Sequence, residues 1–273
     1  MAKKNVLMSN KLLICVVDAK GGSGKSFFTQ IFVETARCDG DCRVYILDGD
    51  TSNSDTISVF QDAKLVFMSE PEAFGNFALA IKKMESGEAD HVVFDAGARD
   101  EHLLEQMMPR IVQALKKIGA VLLVVRPINL SSHTHHNASN FTQGFARENN
   151  VPTILCRSLA FADRPSDFDH WENSQTRKDA LTAGAVELIF SNLGRRWSTE
   201  AAGFGLSLAE VGRGDFTKLG DVHDMRDAEA IFTEEVQLWI ADWMSEAVEM
   251  VHQGVSDALS NRGLLKVKND KSS

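Results

Sequence analysis

The stretch Asp18-Ala19-Lys20-Gly21-Gly22-Ser23-Gly24-Lys25-Ser26 narrows what this chain can fold into more than any other part of it. An apolar run, Leu12 to Val17, leads into it, and the helix-like Phe27-Phe28-Thr29-Gln30-Ile31-Phe32 follows. A strand, a glycine-rich turn and a helix, in that order, make a loop that can hold phosphate. Glycines let backbone N–H groups turn inward around phosphate oxygens, and the start of the helix adds partial positive charge. In that arrangement Lys25 reaches the β- and γ-phosphates of a nucleotide, and the Ser26 hydroxyl ligates Mg²⁺. Gly21, Gly22, Ser23, Gly24, Lys25, Ser26 and Phe27 are the expected nucleotide-binding residues.

A dinucleotide loop is the rival reading. Ala19-x-Gly21-x-x-Gly24 is a degenerate G-x-G-x-x-G, and Asp48 stands near the place of a ribose-binding acid. That reading leaves Lys20, Lys25 and Ser26 without a role. Starting it at Gly22 and Gly24 puts Phe27 where the third glycine belongs, so it is the weaker of the two.

The chain has 273 residues, enough for one large α/β domain with a sizeable core. A single domain over 1–273 is expected, with a flexible tail from about 262. No apolar run approaches the roughly 20 residues that span a bilayer, and no signal-peptide core precedes the first strand, so a cytoplasmic location is expected. Cys15 and Cys156 fall in expected buried strands and read as reduced core thiols, while Cys38-x₃-Cys42 lacks the further ligands a metal site needs. A net charge of −9 excludes a protein whose whole surface clings to nucleic acid, although it leaves room for a local basic patch. The clusters Lys116-Lys117, Arg177-Lys178 and Arg195-Arg196 read as solvated faces.

After the glycine-rich loop, a helix is expected from about 24 to 38, with Phe28, Phe32 and Ala36 on one face. Arg43 to Leu47 reads as a buried parallel strand that delivers Asp48 and Asp50 at its carboxyl end, where ligands of open α/β sheets sit. The rival view of these two acids is that they cap the next helix. Ala63 to Phe67 reads as an additional strand, and Pro71 to Ser86 as a helix that Gly87 ends. His91 to Phe94 is an apolar strand delivering Asp95, and Ala96-Gly97-Ala98-Arg99 follows it. Glu101 to Ile118 is an amphipathic helix with Leu104, Met108, Ile111 and Leu115 inward and a kink expected at Pro109. Ala120 to Val125 is a strand buried on both faces, ended by Arg126-Pro127. His133-x-His135-His136 fits a helix start better than a metal site. Strands are expected at 151–156 and 186–190. Between them, Asp163 to Trp171 reads either as an exposed loop with aromatic anchors, fit for partner contact, or as an ordinary surface loop. From Asp227 on, Trp239, Trp243, Ala247, Val251, Val255 and Leu259 form a stripe that packs a long helix onto the sheet. The predicted fold is therefore α/β, a doubly wound, mostly parallel sheet flanked by helices.

Lys20-Gly21-Gly22-x-Gly24-Lys25-Ser26 resembles the deviant Walker A signature of the ParA/MinD family of P-loop ATPases. The second lysine carries the resemblance; in that family it crosses a dimer interface to touch the nucleotide of the partner subunit, which makes Lys20, Lys25 and Asp50 the implied catalytic residues. Asp48-x-Asp50 with Asn53 is similar to the family's switch I, where Asp48 would assist Mg²⁺ and Asp50 would orient the attacking water. Thr51-Ser52 replaces the usual Pro-Gln, and Asn53 comes one residue early. Asp95 stands as the Walker B aspartate, and Gly97 in the switch II position could sense a γ-phosphate. Ser26, Asp48 and Asp95 are the implied Mg²⁺ ligands. The resemblance implies a slow Mg²⁺-dependent ATPase switch that forms an ATP-sandwiched homodimer. Plasmid partition and conjugative-transfer accessory ATPases of the TraL/StbB type look similar in their short switch II. A DNA-binding partner protein is implied, direct DNA contact is left open, and the faint likeness of residues 261–268 to a membrane-targeting helix is too short and polar to expect membrane contact. A nucleotide-dependent adaptor with little hydrolysis and a small-molecule kinase remain alternatives, of which the kinase gives Lys20 no role.

Overall fold

A computed structural model describes residues 10–38, 40, 42–51, 55–98, 100–162 and 164–265. In chain order its elements are β1 (Lys11–Val16), α1 (Lys25–Arg37), β2 (Val44–Asp48), α2 (Asp55–Val59), β3 (Lys64–Leu65), α3 (Glu70–Ser86), β4 (His91–Asp95), α4 (Glu101–Lys117), β5 (Ala120–Ile128) and α5 (Ser132–Phe141). A π-helical turn, Thr142–Ala146, and α6 (Arg147–Asn149) prolong α5. Then come β6 (Thr153–Ser158), α7 (Asp169–Glu172), α8 (Gln175–Thr182), β7 (Val186–Phe190), α9 (Arg195–Gly203), α10 (Leu208–Gly212), α11 (Val222–Ile231) and α12 (Glu234–Asn261). The strands form one seven-stranded sheet in the order β3-β2-β4-β1-β5-β6-β7, every pairing parallel. The fold is α/β, as the sequence predicts.

Strand parity decides which layer each side chain joins. Leu12, Ile14 and Val16 of β1 enter the core under α1 and α12, whereas Leu13, Cys15 and Val17 enter the core under α3 and α4. Both faces are covered, which is why β1, β4 and β5 read as unbroken apolar runs. By the same parity Ile46 and Val93 point to α1, and so do Asp48 and Asp95 two residues further along. Asp48 and Asp95 are also register partners on neighbouring strands. Two acids on one face at the carboxyl edge of the sheet are thus brought together directly beside the start of α1.

Helix α1 follows its expected face, with Phe28, Phe32 and Ala36 buried, and Gly87 closes α3 in the left-handed region at φ 76°. Helix α4 runs through Pro109 as one element, with Leu104, Met108, Ile111 and Leu115 buried. The strand expected over 63–67 is a two-residue edge strand. β5 does not end at Arg126-Pro127 but continues to Ile128, because Pro127 lacks an N–H yet its neighbours still pair with β6.

The region after β6 decides against partner contact and for a surface segment pinned by its aromatics. Phe168 and Trp171 are buried, and Trp171 donates its indole N–H to Glu187 at 2.6 Å, so these aromatics are core rather than partner contacts. Arg157, buried in β6, pairs with Glu172 at 2.6 Å and lies over the Phe168 ring. Asp163 lies outside the described residues, as do Asp39, Asp41, Asn53, Arg99 and the tail from 266. The α12 stripe is buried except at Trp239, which is 43% exposed. Cys15 and Cys156 are buried free thiols whose pKa burial pushes up, and Cys38 and Cys42 are unbridged. No helix among the described residues is long and apolar enough to cross a membrane.

Candidate functional site

The turn between β1 and α1 uses its glycines where geometry requires them. Gly22 has φ 70° and Gly24 has φ 95°, the left-handed region that other residues enter at a cost of about 1–2 kcal/mol. Beside Gly21 and Gly22 the space is open to 4 Å, leaving a cradle against bare backbone. Helix α1 begins with no side-chain cap and no acid in its first turn. Its first N–H groups and positive dipole end are therefore available to an anion. Lys25 is buried and folds back so that its ammonium donates to the Lys20 carbonyl at 3.1 Å, which lays the charge across the mouth of the cradle. Ser23 is buried beneath the turn, and its hydroxyl bears on Asp18.

Asp95, Asp48 and Ser26 converge at the edge of this cradle. Asp95 Oδ2 accepts from the Thr56 hydroxyl at 2.6 Å, while Oδ1 is buried without a partner. Burial above all, with the Asp48 carboxyl beside it, raises the Asp95 pKa to about 7 against the opposing hydroxyls of Thr56 and Ser26 and the Lys25 ammonium. Asp48 is held differently. Its Oδ1 accepts the Asp50 N–H and its Oδ2 the Ile57 N–H, each at 3.0 Å. Its pKa is raised to about 6, chiefly by burial, with the two N–H bonds opposing the rise and the Asp50 and Asp55 carboxylates adding to it. Two neighbouring buried carboxyls stay ionised together only when a cation sits with them; without one, a proton neutralises one of the pair.

That donor set fits Mg²⁺. The ion keeps several waters and takes one or two carboxylates together with phosphate oxygens. The orphaned Asp95 Oδ1 and the Ser26 hydroxyl beside it are oxygen donors of the required hardness. Among the described residues no group of three or more His, Cys, Asp or Glu forms a protein-only cage, His133, His135 and His136 included. His135 instead bonds the Asn129 carbonyl at 2.6 Å and packs on Trp171. Asp48 thus caps the first turn of α2 through the Ile57 N–H, as the rival reading of these acids expected, and it also braces the loop that carries Asp50.

Two clefts open on either side of Gly22. One, of ≈ 390 Å³, runs from Gly24, Lys25, Ser26 and Phe27 past Gln30 and Asp50 to Ser198, Thr199 and Ala202 of α9. The other, of ≈ 660 Å³, is lined by Lys20, Asn129 to Ser132, Ala160 and Ala162. Arg195 lines both, so the basic pair that read as a solvated face contributes one cation to the site. Its neighbour Arg196 stacks on Trp197 and stays at the surface. Lys20 is exposed at the lip, while Phe27 packs edge-on to Phe28 and against Trp243 and anchors the wall.

Three residues beneath the cradle escaped sequence reasoning. Asp18 is fully buried; burial raises its pKa, and Ser23, Arg126 and Lys25 pull it back. Arg126 is buried under it, bonded to Glu101 and, at 3.3 Å, to Glu105, with its guanidinium over Phe141. Asp100, at the start of α4, accepts the Gly97 N–H at 2.9 Å. The Gly97 amide, expected to be open to a phosphate, is occupied by this carboxylate. No family model matches this chain, and no curated protein is similar to it.

Proposed function

We propose that this chain is a Mg²⁺-dependent ATPase that works as a switch, with ATP held between two copies of the subunit. The observation that carries the reading is the cradle itself. A left-handed glycine turn, an uncapped helix start, an inward lysine and an orphaned acid oxygen meet within one loop and two strand ends. Phosphate would lie along Gly21 to Ser26, with Lys25 on its terminal groups. The ≈ 390 Å³ cleft toward α9 has room for the rest of the nucleotide. Ser26 and Asp95 would hold Mg²⁺, Asp95 through water, and the ion would offset the phosphate charge. Asp50, fixed by its N–H on Asp48, lines that cleft beside Ser26 and would orient the attacking water. Exposed Lys20 would complete the site of the second subunit.

Hydrolysis would then end the dimer, so the output is a change of partners rather than a product. The resemblance favours a cytoplasmic role in plasmid partition or stability, or in conjugative transfer, with a DNA-binding partner protein. Phosphate release from ATP with and without MgCl₂, run beside Lys25→Ala, tests the reading. Slow, Mg²⁺-dependent release that Lys25→Ala abolishes supports it; a chain that binds no ATP contradicts it. Tight ATP binding without release would favour the adaptor reading, for which the occupied Gly97 amide and the doubly engaged Asp48 give a structural basis.

A further inference from the structure

We infer that Asp100 is a built-in competitor that weakens the hold of this site on a nucleoside triphosphate relative to a diphosphate: its carboxylate occupies, within the chain, the donor a terminal phosphate would take. The inference rests on the nucleotide reading above and concerns the same site.

The geometry is specific. Asp100 Oδ2 accepts the Gly97 N–H at 2.9 Å, and the Asp100 N–H returns a bond to the Gly97 carbonyl at 3.1 Å. The carboxylate lies so close that a Cβ on Gly97 would stand 2.7 Å from Oδ2 and 3.1 Å from the Gly49 carbonyl, so a side chain at 97 would clash with both. Gly49 in turn donates to the Asp95 carbonyl at 2.8 Å, which ties this turn to the loop bearing Asp50. Gly97, with Asp100 on its N–H, is therefore packed against the loop that leads to Asp50.

The charges of the site also act on this group. The Asp100 carboxyl is repelled by Asp50 and attracted by Lys25, the residue whose ammonium reaches the terminal phosphates in a loop of this kind. This anion already takes a backbone N–H within the field of Lys25; a γ-phosphate would need both, whereas a β-phosphate further back would need Lys25 and not the Gly97 N–H. A triphosphate must displace Asp100, and a diphosphate leaves it in place.

A second acceptor role is available to the displaced side chain. Asp100 is the N-cap residue of α4, yet it caps none of that helix's own N–H groups and holds φ −89° and ψ −11°. Swung away from Gly97, it reaches the orphan donors of the first turn, where an aspartate contributes about 1 kcal/mol. Two alternative bonds for one carboxylate make a two-state element that a terminal phosphate can bias. The next residue, Glu101, is fixed on buried Arg126, so the change would pass to the start of α4 and to β5.

Binding of Mg²⁺·ADP and of Mg²⁺ with the non-hydrolysable analogue AMP-PNP tests this by calorimetry on the full chain, wild type beside Asp100→Asn and Asp100→Ala. Removal of the competing charge should raise the triphosphate-to-diphosphate affinity ratio on the order of tenfold, ~1.4 kcal/mol, with ADP affinity within about twofold. Asparagine keeps the acceptor for Gly97, so its ratio should rise even where alanine loosens the turn. A merely structural Asp100 would weaken both nucleotides together and leave the ratio unchanged, which overturns the inference. A wild type that binds neither nucleotide overturns the nucleotide reading and this inference with it; a wild type that binds both, with equal ratios in all three proteins, sinks this inference alone.

Discussion

Replacing Asp95 with asparagine should make the isolated protein more stable while ending its use of Mg²⁺. The carboxyl is buried, and its pKa stands at about 7 against 3.8 for the unperturbed group, burial being the chief cause. A difference of roughly three pH units at 1.36 kcal/mol each makes ionised Asp95 a cost to the fold of about 4 kcal/mol. Below about pH 4 both the folded and unfolded chains hold the proton and the cost vanishes. Between pH 4 and 7 the unfolded chain ionises first, so this contribution falls as pH rises; above pH 7 the full cost remains. Asparagine carries no charge at any pH, and its Oδ1 still accepts from Thr56. Its advantage should therefore grow from near zero at pH 4 to at most about 4 kcal/mol at pH 8. A chain of this size gains roughly 2–4 °C per kcal/mol, so the melting temperature should rise by up to about 8–16 °C. Thermal melts by circular dichroism from pH 4.5 to 8.5, without Mg²⁺, read the difference directly. The same melts with Mg²⁺ and ATP should stabilise the wild type and leave the variant unmoved. A variant less stable than wild type at pH 8, or a gap that ignores pH, would show that Asp95 is not an uncompensated charge awaiting a cation.

Other substitutions probe the rest of the scaffold. Gly24→Ala forces a side chain into φ 95° and should cost about 1–2 kcal/mol while weakening ATP binding far more, read by melting and by titration of a fluorescent ATP analogue. Arg157→Ala removes the partner of Glu172 and a large buried side chain over Phe168, while Glu187 keeps Trp171 and Arg177, so denaturant titration should show a loss of about 1–3 kcal/mol with no selective effect on nucleotide binding. Gly254→Ala puts a Cβ 2.6 Å from Leu188 Cδ2 under α12; overpacking of about 1–3 kcal/mol should appear in the same titration, and an unchanged midpoint would mean that Leu188 yields freely.

The legible parts of the chain are those where one physical pattern decides the outcome. β1, β4 and β5 are apolar throughout because helices cover both faces, and α4 repeats its buried residues at helical spacing. The acids Asp48 and Asp95 were legible as strand ends, and strand parity then places them on the α1 face. β3 was overread because two residues of pairing at a sheet edge carry no periodicity. The stretch after β6 left two readings open because its buried Phe168 and Trp171 stand among exposed charges, and the bond from Trp171 to Glu187 of β7 has no sign in the sequence. Trp239 left the α12 stripe because steps of four residues drift about 40° each against a 3.6-residue turn, and Ile240 is buried in its place. Asp100 had a weak signal, an acid three residues after a glycine at a helix start, but its bond runs backward to Gly97 rather than forward into the helix. Asp18 and Arg126 gave none, since a charge inside an apolar run is visible while its buried partner on another strand is not.

The central claim is that ATP joins two subunits through Lys20. Molar mass by light scattering, without nucleotide and with Mg²⁺·ADP or Mg²⁺·ATP, tests it on wild type, Lys20→Ala and Asp50→Ala. Lys20 is exposed, so its loss should leave the fold within about 0.5 kcal/mol of wild type. The account predicts the 30.1 kDa monomer without nucleotide and with ADP, and twice that mass with ATP. The dimer should last longer in Asp50→Ala and be absent in Lys20→Ala. A mass that ignores the nucleotide in every variant contradicts the account.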